Sequence, residues 1–130
     1  MSDREALTIQ QAARASGLTS HTLRYYERIG LVAPVARAGG GHRRYSAGDL
    51  GFIQFLTYLR RTGMPIARMQ EYASLLREGD HTRQRRHAIL VEHREAVQQQ
   101  IGELQAHLAA VEAKIRRYEE QAEARLMADG

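Results

Sequence analysis

The sequence predicts an all-α protein with a small β-hairpin wing. A winged helix-turn-helix head over residues 1–77 is followed by a long coiled-coil helix over 82–125. Three observations carry that reading. Two helix signals flank Gly17-Leu18-Thr19, the cluster Gly39-Gly40-Gly41 interrupts the helical period, and residues 82–125 contain neither proline nor a turn cluster.

The first helix starts at Thr8, whose hydroxyl can cap the amide of Gln11 three residues on. Ile9, Ala12, Ala13 and Ser16 form its small inward face, and Gly17 supplies the left-handed residue that ends it. Thr19 caps a second helix through Arg28, with Leu23 and Tyr26 inward and Ser20, His21, Thr22, Arg24 and Tyr25 outward. Ala13 is small enough for the close crossing of a helix-turn-helix. Leu31 to Val35 reads as extended, and with His42-Arg43-Arg44-Tyr45 it makes a hairpin around the glycines. A nucleotide-cradling loop is disfavoured, since no Lys-Ser/Thr follows those glycines. Ser46 and Asp49 open a third helix with Leu50, Ile53, Phe55, Leu56 and Leu59 on its apolar face, ending before Gly63. Pro65 opens a fourth, carried by Ile66, Met69, Tyr72, Ala73 and Leu76 to about Arg77, and Glu78-Gly79-Asp80 breaks it.

The 130 residues hold 19 Lys+Arg against 15 Asp+Glu, a formal charge of +4, and Lys114 is the single lysine. That excess is local. Residues 81–130 are neutral, whereas 20–61 carry Arg24, Arg28, Arg37, Arg43, Arg44, Arg60 and Arg61 against Glu27 and Asp49. Such a cluster is the footprint of a polyanion-binding surface, with an ordinary solvated Arg-rich face as the alternative. The absence of Cys excludes disulfides, thiolate metal sites and Cys nucleophiles. With no apolar stretch near bilayer length, no membrane partner is expected and the cytoplasm is the expected compartment.

In the last segment Val97, Ile101, Leu104, Leu108, Val111, Ile115, Tyr118 and Ala122 recur at alternating steps of four and three. This is a heptad seam. A helix of about 44 residues is roughly 66 Å long. It cannot bury that seam on a head whose radius of gyration is about 11 Å. A second copy of the chain is the simplest partner, and the seam alone leaves its direction open.

The run Thr22-Leu23-Arg24-Tyr25-Tyr26-Glu27-Arg28-Ile29-Gly30-Leu31 is followed by glycines and Arg43-Arg44-Tyr45-Ser46. Together with Leu59-Arg60-Arg61-Thr62-Gly63-Met64-Pro65 it resembles the MerR-type transcriptional regulators of bacteria. The resemblance implies a homodimer joined by an antiparallel coiled coil. It implies a dimer seated on a pseudo-palindrome of double-stranded promoter DNA, where it distorts an over-long spacer for RNA polymerase. By the same resemblance Arg24, Tyr25, Arg43, Arg44 and Arg60 or Arg61 hold the DNA backbone, with Tyr45 on the same basic wing. Ser20 lies on the reading side, and His21 and Thr22 are the candidates for base edges. His42 departs from the Tyr usual there.

The outline is similar to the short branch that responds to aldehydes and other electrophiles. The reactive Cys of that branch aligns with Tyr58, and a phenol is a poor substitute for a thiolate. Among His81, His87, His93 and His107 no pair has i,i+4 spacing, and Glu103 with His107 falls short of a zinc site. No metal, cofactor or catalytic residue is expected, and any small-molecule effector is left open. Two other readings stay in view: an effector-independent DNA-bending or architectural protein, and a basic coiled-coil scaffold for acidic protein partners. An enzyme is disfavoured, because no Ser–His or paired-carboxylate constellation falls on a loop.

Overall fold

The computed structural model describes residues 6–33 and 45–129. Among them run five α-helices: α1 (Ile9–Ser16), α2 (Ser20–Arg28), α3 (Ala47–Arg61), α4 (Ile66–Glu78) and α5 (Arg83–Asp129). A 3-10 turn, Asp80–Thr82, precedes the last.

The helix starts are set by local side-chain chemistry. The Thr8 hydroxyl accepts from the Gln11 amide at 3.2 Å while the Gln11 side chain accepts from the Thr8 amide at 2.9 Å. Ser46 and Asp49 make the same reciprocal pair at 3.1 and 2.9 Å. Each box satisfies two amides that the helix itself leaves without acceptors. Replacing Ser46 with Ala should therefore lower stability by about 1 kcal/mol, read by chemical denaturation at unchanged m-value. A loss of less than about 0.3 kcal/mol would show that water replaces the cap without penalty.

Helix α1 packs against both α2 and α3, and its contact face is small: Ala12 and Ala13 are buried. Leu23 and Tyr26 of α2, Ile53, Leu56 and Leu59 of α3, and Met69 and Tyr72 of α4 complete one core. The Phe55 and Tyr72 rings meet at 5.9 Å, tilted by 55°, and join α3 to α4.

Several expectations need correction. Leu75, not Leu76, closes the inner face of α4, and Leu76 is 39% exposed. The neighbour changes at that end of α4. The Thr82 hydroxyl, buried, donates to the carbonyls of Leu75 at 2.6 Å and Gly79 at 2.8 Å and accepts from Arg86 Nε at 3.0 Å. Leu75 thus joins a core that also takes in Ile89 of α5. Leu31 and Val32 do not start a strand. Both amides turn back to the Tyr26 carbonyl, at 2.8 and 3.2 Å, and both side chains are buried. The remainder of the expected hairpin, with Arg37, Gly39, Gly40, Gly41, His42, Arg43 and Arg44, lies outside the described residues. Among the described residues the β pairing is one antiparallel bridge, Leu7 with Tyr45.

The chain divides into two compact units, Met1–Val91 and Glu92–Gly130. The first holds α1 to α4 and the opening turns of α5, where Ile89 is buried. In the second, α5 continues unbroken to Asp129, four residues past the expected end. Its 47 residues make a helix of about 70 Å. Ile101, Leu104, Leu108, Val111, Ile115 and Tyr118 are between 48% and 67% exposed there, Val97 is half-buried and Ala122 is exposed. Gly102 faces open space, since a Cβ at that position would meet nothing within 4 Å. No helix among the described residues is long and apolar enough to cross a membrane.

Candidate nucleic-acid interface

Helix α2 is the centre of the candidate site. Its N-cap is Thr19, which accepts from the Thr22 amide at 3.0 Å and whose hydroxyl donates to the Thr22 hydroxyl at 3.0 Å. In nine residues the helix makes two and a half turns, so its two faces are fully separated. Leu23 and Tyr26 are buried; His21, Arg24, Tyr25 and Arg28 are exposed; Ser20 and Thr22 are half-buried at the edge.

The outward face is ordered by its own contacts. The Arg28 guanidinium lies 5.6 Å from the Tyr25 ring centroid, a cation–π pair worth about 0.5–1 kcal/mol at an exposed site. The Tyr25 and Tyr26 rings are 6.2 Å apart at 47°. Tyr25 is therefore held between a buried ring and a cation, with Arg24 beside it. At the far end the Gln70 side chain of α4 donates to the Ile29 carbonyl at 2.9 Å and fixes the exit of α2.

Arg60 and Arg61 are exposed in the last turn of α3. The structure brings Arg61 to the helix-turn-helix turn: its Nη2 lies 3.5 Å from where a Cβ on Gly17 would stand. Gly17 has φ +75°, so this turn needs glycine for its backbone as well as for that approach. Gln54 Nε2 donates to the Ala15 carbonyl at 3.4 Å and links α3 to the end of α1.

Tyr45 leaves the set of surface candidates. Its ring is fully buried, and its backbone pairs with Leu7 through bonds of 2.7 and 2.8 Å. The aromatic that follows Arg44 is a core residue. Arg28, counted only in the basic cluster, and Arg14 were not among the candidate contacts. Arg28 stands three and four positions after Tyr25 and Arg24, the spacing that marks one helix face. Arg14 occupies the last turn of α1, and no local signal separates it from a solvated arginine. Among the described residues no group of three or more His, Asp or Glu is placed to hold a metal ion.

A family model described as the MerR HTH family regulatory protein matches residues 7–76, and a second, MerR DNA binding, matches 51–113. The chain belongs to the MerR family. The two family matches together run over residues 7–113. It is 43% identical over 89 residues to the HTH-type transcriptional regulator AdhR of Bacillus subtilis, covering 68% of this chain and 64% of that relative's length. A chain from Listeria monocytogenes, assigned to the MerR family of transcriptional regulators, superposes with a TM-score of 0.82 at 38% identity. The match covers 87% of this chain and 86% of that one. HiNmlR, a MerR family regulator lacking the sensor domain and solved bound to promoter DNA, gives a TM-score of 0.81 at 31% identity. There 88% of this chain and 91% of the other are covered.

Proposed function

We propose that this MerR-family chain is a promoter-binding transcriptional regulator. It works in the cytoplasm as a homodimer on a pseudo-palindrome of double-stranded DNA, with an over-long promoter spacer that it distorts for RNA polymerase. The observation that carries the reading is the division of α2 into a buried Leu23–Tyr26 face and an exposed His21–Arg24–Tyr25–Arg28 face. A helix presenting ordered polar and cationic side chains, with Arg61 at the turn that leads into it, has the chemistry to enter a major groove and hold its phosphate walls. The DNA-bound state of HiNmlR supports the same use of this fold.

Within that reading His21 and Thr22 meet base edges, with Ser20 at the rim. Arg24, Tyr25, Arg28, Arg60 and Arg61, with Arg43 and Arg44, hold the backbone. The head over 1–77 binds DNA and the helix over 82–125 pairs with its copy as an antiparallel coiled coil through Val97, Ile101, Leu104, Leu108, Val111, Ile115, Tyr118 and Ala122. The exposed apolar row on α5 supports the pairing. Regulation is by binding and DNA distortion, with no catalytic step.

Salt titration tests the reading. A dimer neutralising about 8 phosphates loses duplex affinity with a log–log slope near −7. A slope near zero would sink the DNA reading and leave the coiled-coil scaffold for acidic proteins in its place.

A further inference from the structure

We infer that Arg14 and Arg61 form a separate phosphate grip, which holds one backbone phosphate of duplex DNA beside the turn leading into α2. The inference rests on the DNA-binding reading, in which Arg61 already holds the backbone, and adds Arg14 and the groove the two arginines share.

A groove of about 300 Å³ lies between the last turns of α1 and α3, with Arg14, Gly17, Gln54, Tyr58 and Arg61 in its lining. Its walls are fixed by the bond from Gln54 to the Ala15 carbonyl. Its depth comes from the bare Cα of Gly17, against which the Arg61 guanidinium lies. Among the described residues no carboxylate lines it. Among the described residues neither Arg14 nor Arg61 makes an ion pair. Tyr58, 62% exposed, adds a hydroxyl at the edge. Two guanidiniums and a phenol in one groove are donors without acceptors among the described residues, and a phosphate supplies several acceptor oxygens in the geometry that a guanidinium fork matches.

Two features favour a phosphate on a polymer over a free small anion. The groove is open, whereas sites for small ligands enclose most of the ligand surface. Its Gly17 edge is two residues from Thr19, the cap of α2. A helix lying in the major groove is flanked by phosphates on both walls, so a cationic groove at its N-terminal end meets backbone. Arg14 also sits at the C-terminal end of α1, where a cation complements the helix dipole. A purely structural role of that kind would alter melting and leave salt dependence alone.

The test uses the full chain and a mixed-sequence DNA duplex, comparing Arg14→Ala and Arg61→Ala with the unsubstituted protein. Each variant should reduce the magnitude of the log–log salt slope by about two, at about 0.9 per phosphate with one lost in each subunit. Thermal unfolding followed by circular dichroism should show both variants folded. A steep slope in the unsubstituted protein that Arg14→Ala leaves unchanged would overturn the grip and leave the DNA reading standing, whatever Arg61→Ala does. The same unchanged slope, with weakened binding to a polyglutamate peptide, would assign the groove to an acidic protein segment and overturn the inference. A slope near zero in the unsubstituted protein would remove the DNA reading and the grip together.

Discussion

Leu108→Asp is expected to abolish self-association while leaving the head folded. Leu108 is 57% exposed on the single chain, so the substitution has little to disturb within it. In the proposed coiled coil the same position is buried twice, once in each copy. An uncompensated buried charge costs about 3–5 kcal/mol. Two of them raise the dissociation constant at least about ten-thousand-fold, which dissociates a dimer of about nanomolar or weaker affinity at micromolar working concentrations. Sedimentation velocity should report the monomer mass, and the helical signal should fall, because an isolated α5 loses the burial that supports it. A dimer that survives would show that the register running from Val97 to Ala122 is not the one that pairs.

Leu23→Ala is expected to do the reverse. Leu23 is 1% exposed on the inner face of α2, against a core shared with α1, α3 and α4. Truncating it to a methyl removes transfer energy and leaves a cavity, together about 2–5 kcal/mol. That is a large share of the ~5–15 kcal/mol typical of a whole domain. The melting temperature of the head should fall by roughly 10 °C or more, since 1 kcal/mol shifts a domain of this size by about 4–8 °C. DNA affinity should fall with it, because the same helix carries Leu23 inward and Arg24 and Tyr25 outward. Self-association should persist, the seam being confined to α5. A loss below about 1 kcal/mol would mean that the surrounding side chains collapse into the space.

The helix boundaries were legible because their determinants are local. Thr8 with Gln11, Thr19 with Thr22, Ser46 with Asp49, and Gly17 at φ +75° each act within three or four residues, so the chain states them directly. The outward face of α2 was legible for the same reason: once Leu23 and Tyr26 go inward, helical geometry sets the rest. What escaped depends on distant contacts. The burial of Tyr45 is decided by Leu7, far away in sequence. The exchange of Leu76 for Leu75 is decided by the Thr82 bonds and the arrival of α5, and periodicity treats a helix as though it had one neighbour. Leu31 and Val32 have the composition of a strand, yet their amides find the Tyr26 carbonyl first. For the candidate interface, charge clustering pointed to the surface that carries the exposed Arg24, Arg28, Arg60 and Arg61. It passed over the pairing of Arg28 with Tyr25, which their three-residue spacing on one helix would allow, and the position of Arg14, which only the fold reveals.

The small inward face of α1 has a consequence for which sequences this head can tolerate. Ala12 is 0% and Ala13 is 4% exposed where α1 meets α2 and α3. At such positions every larger side chain demands room that a close-packed interior does not hold. Drift in sequence should therefore be slowest at two of the chemically plainest residues in the head, with Gly and Ser as the main tolerated exchanges. Variation is free to accumulate instead at larger side chains that face solvent, such as Leu76 at the end of α4.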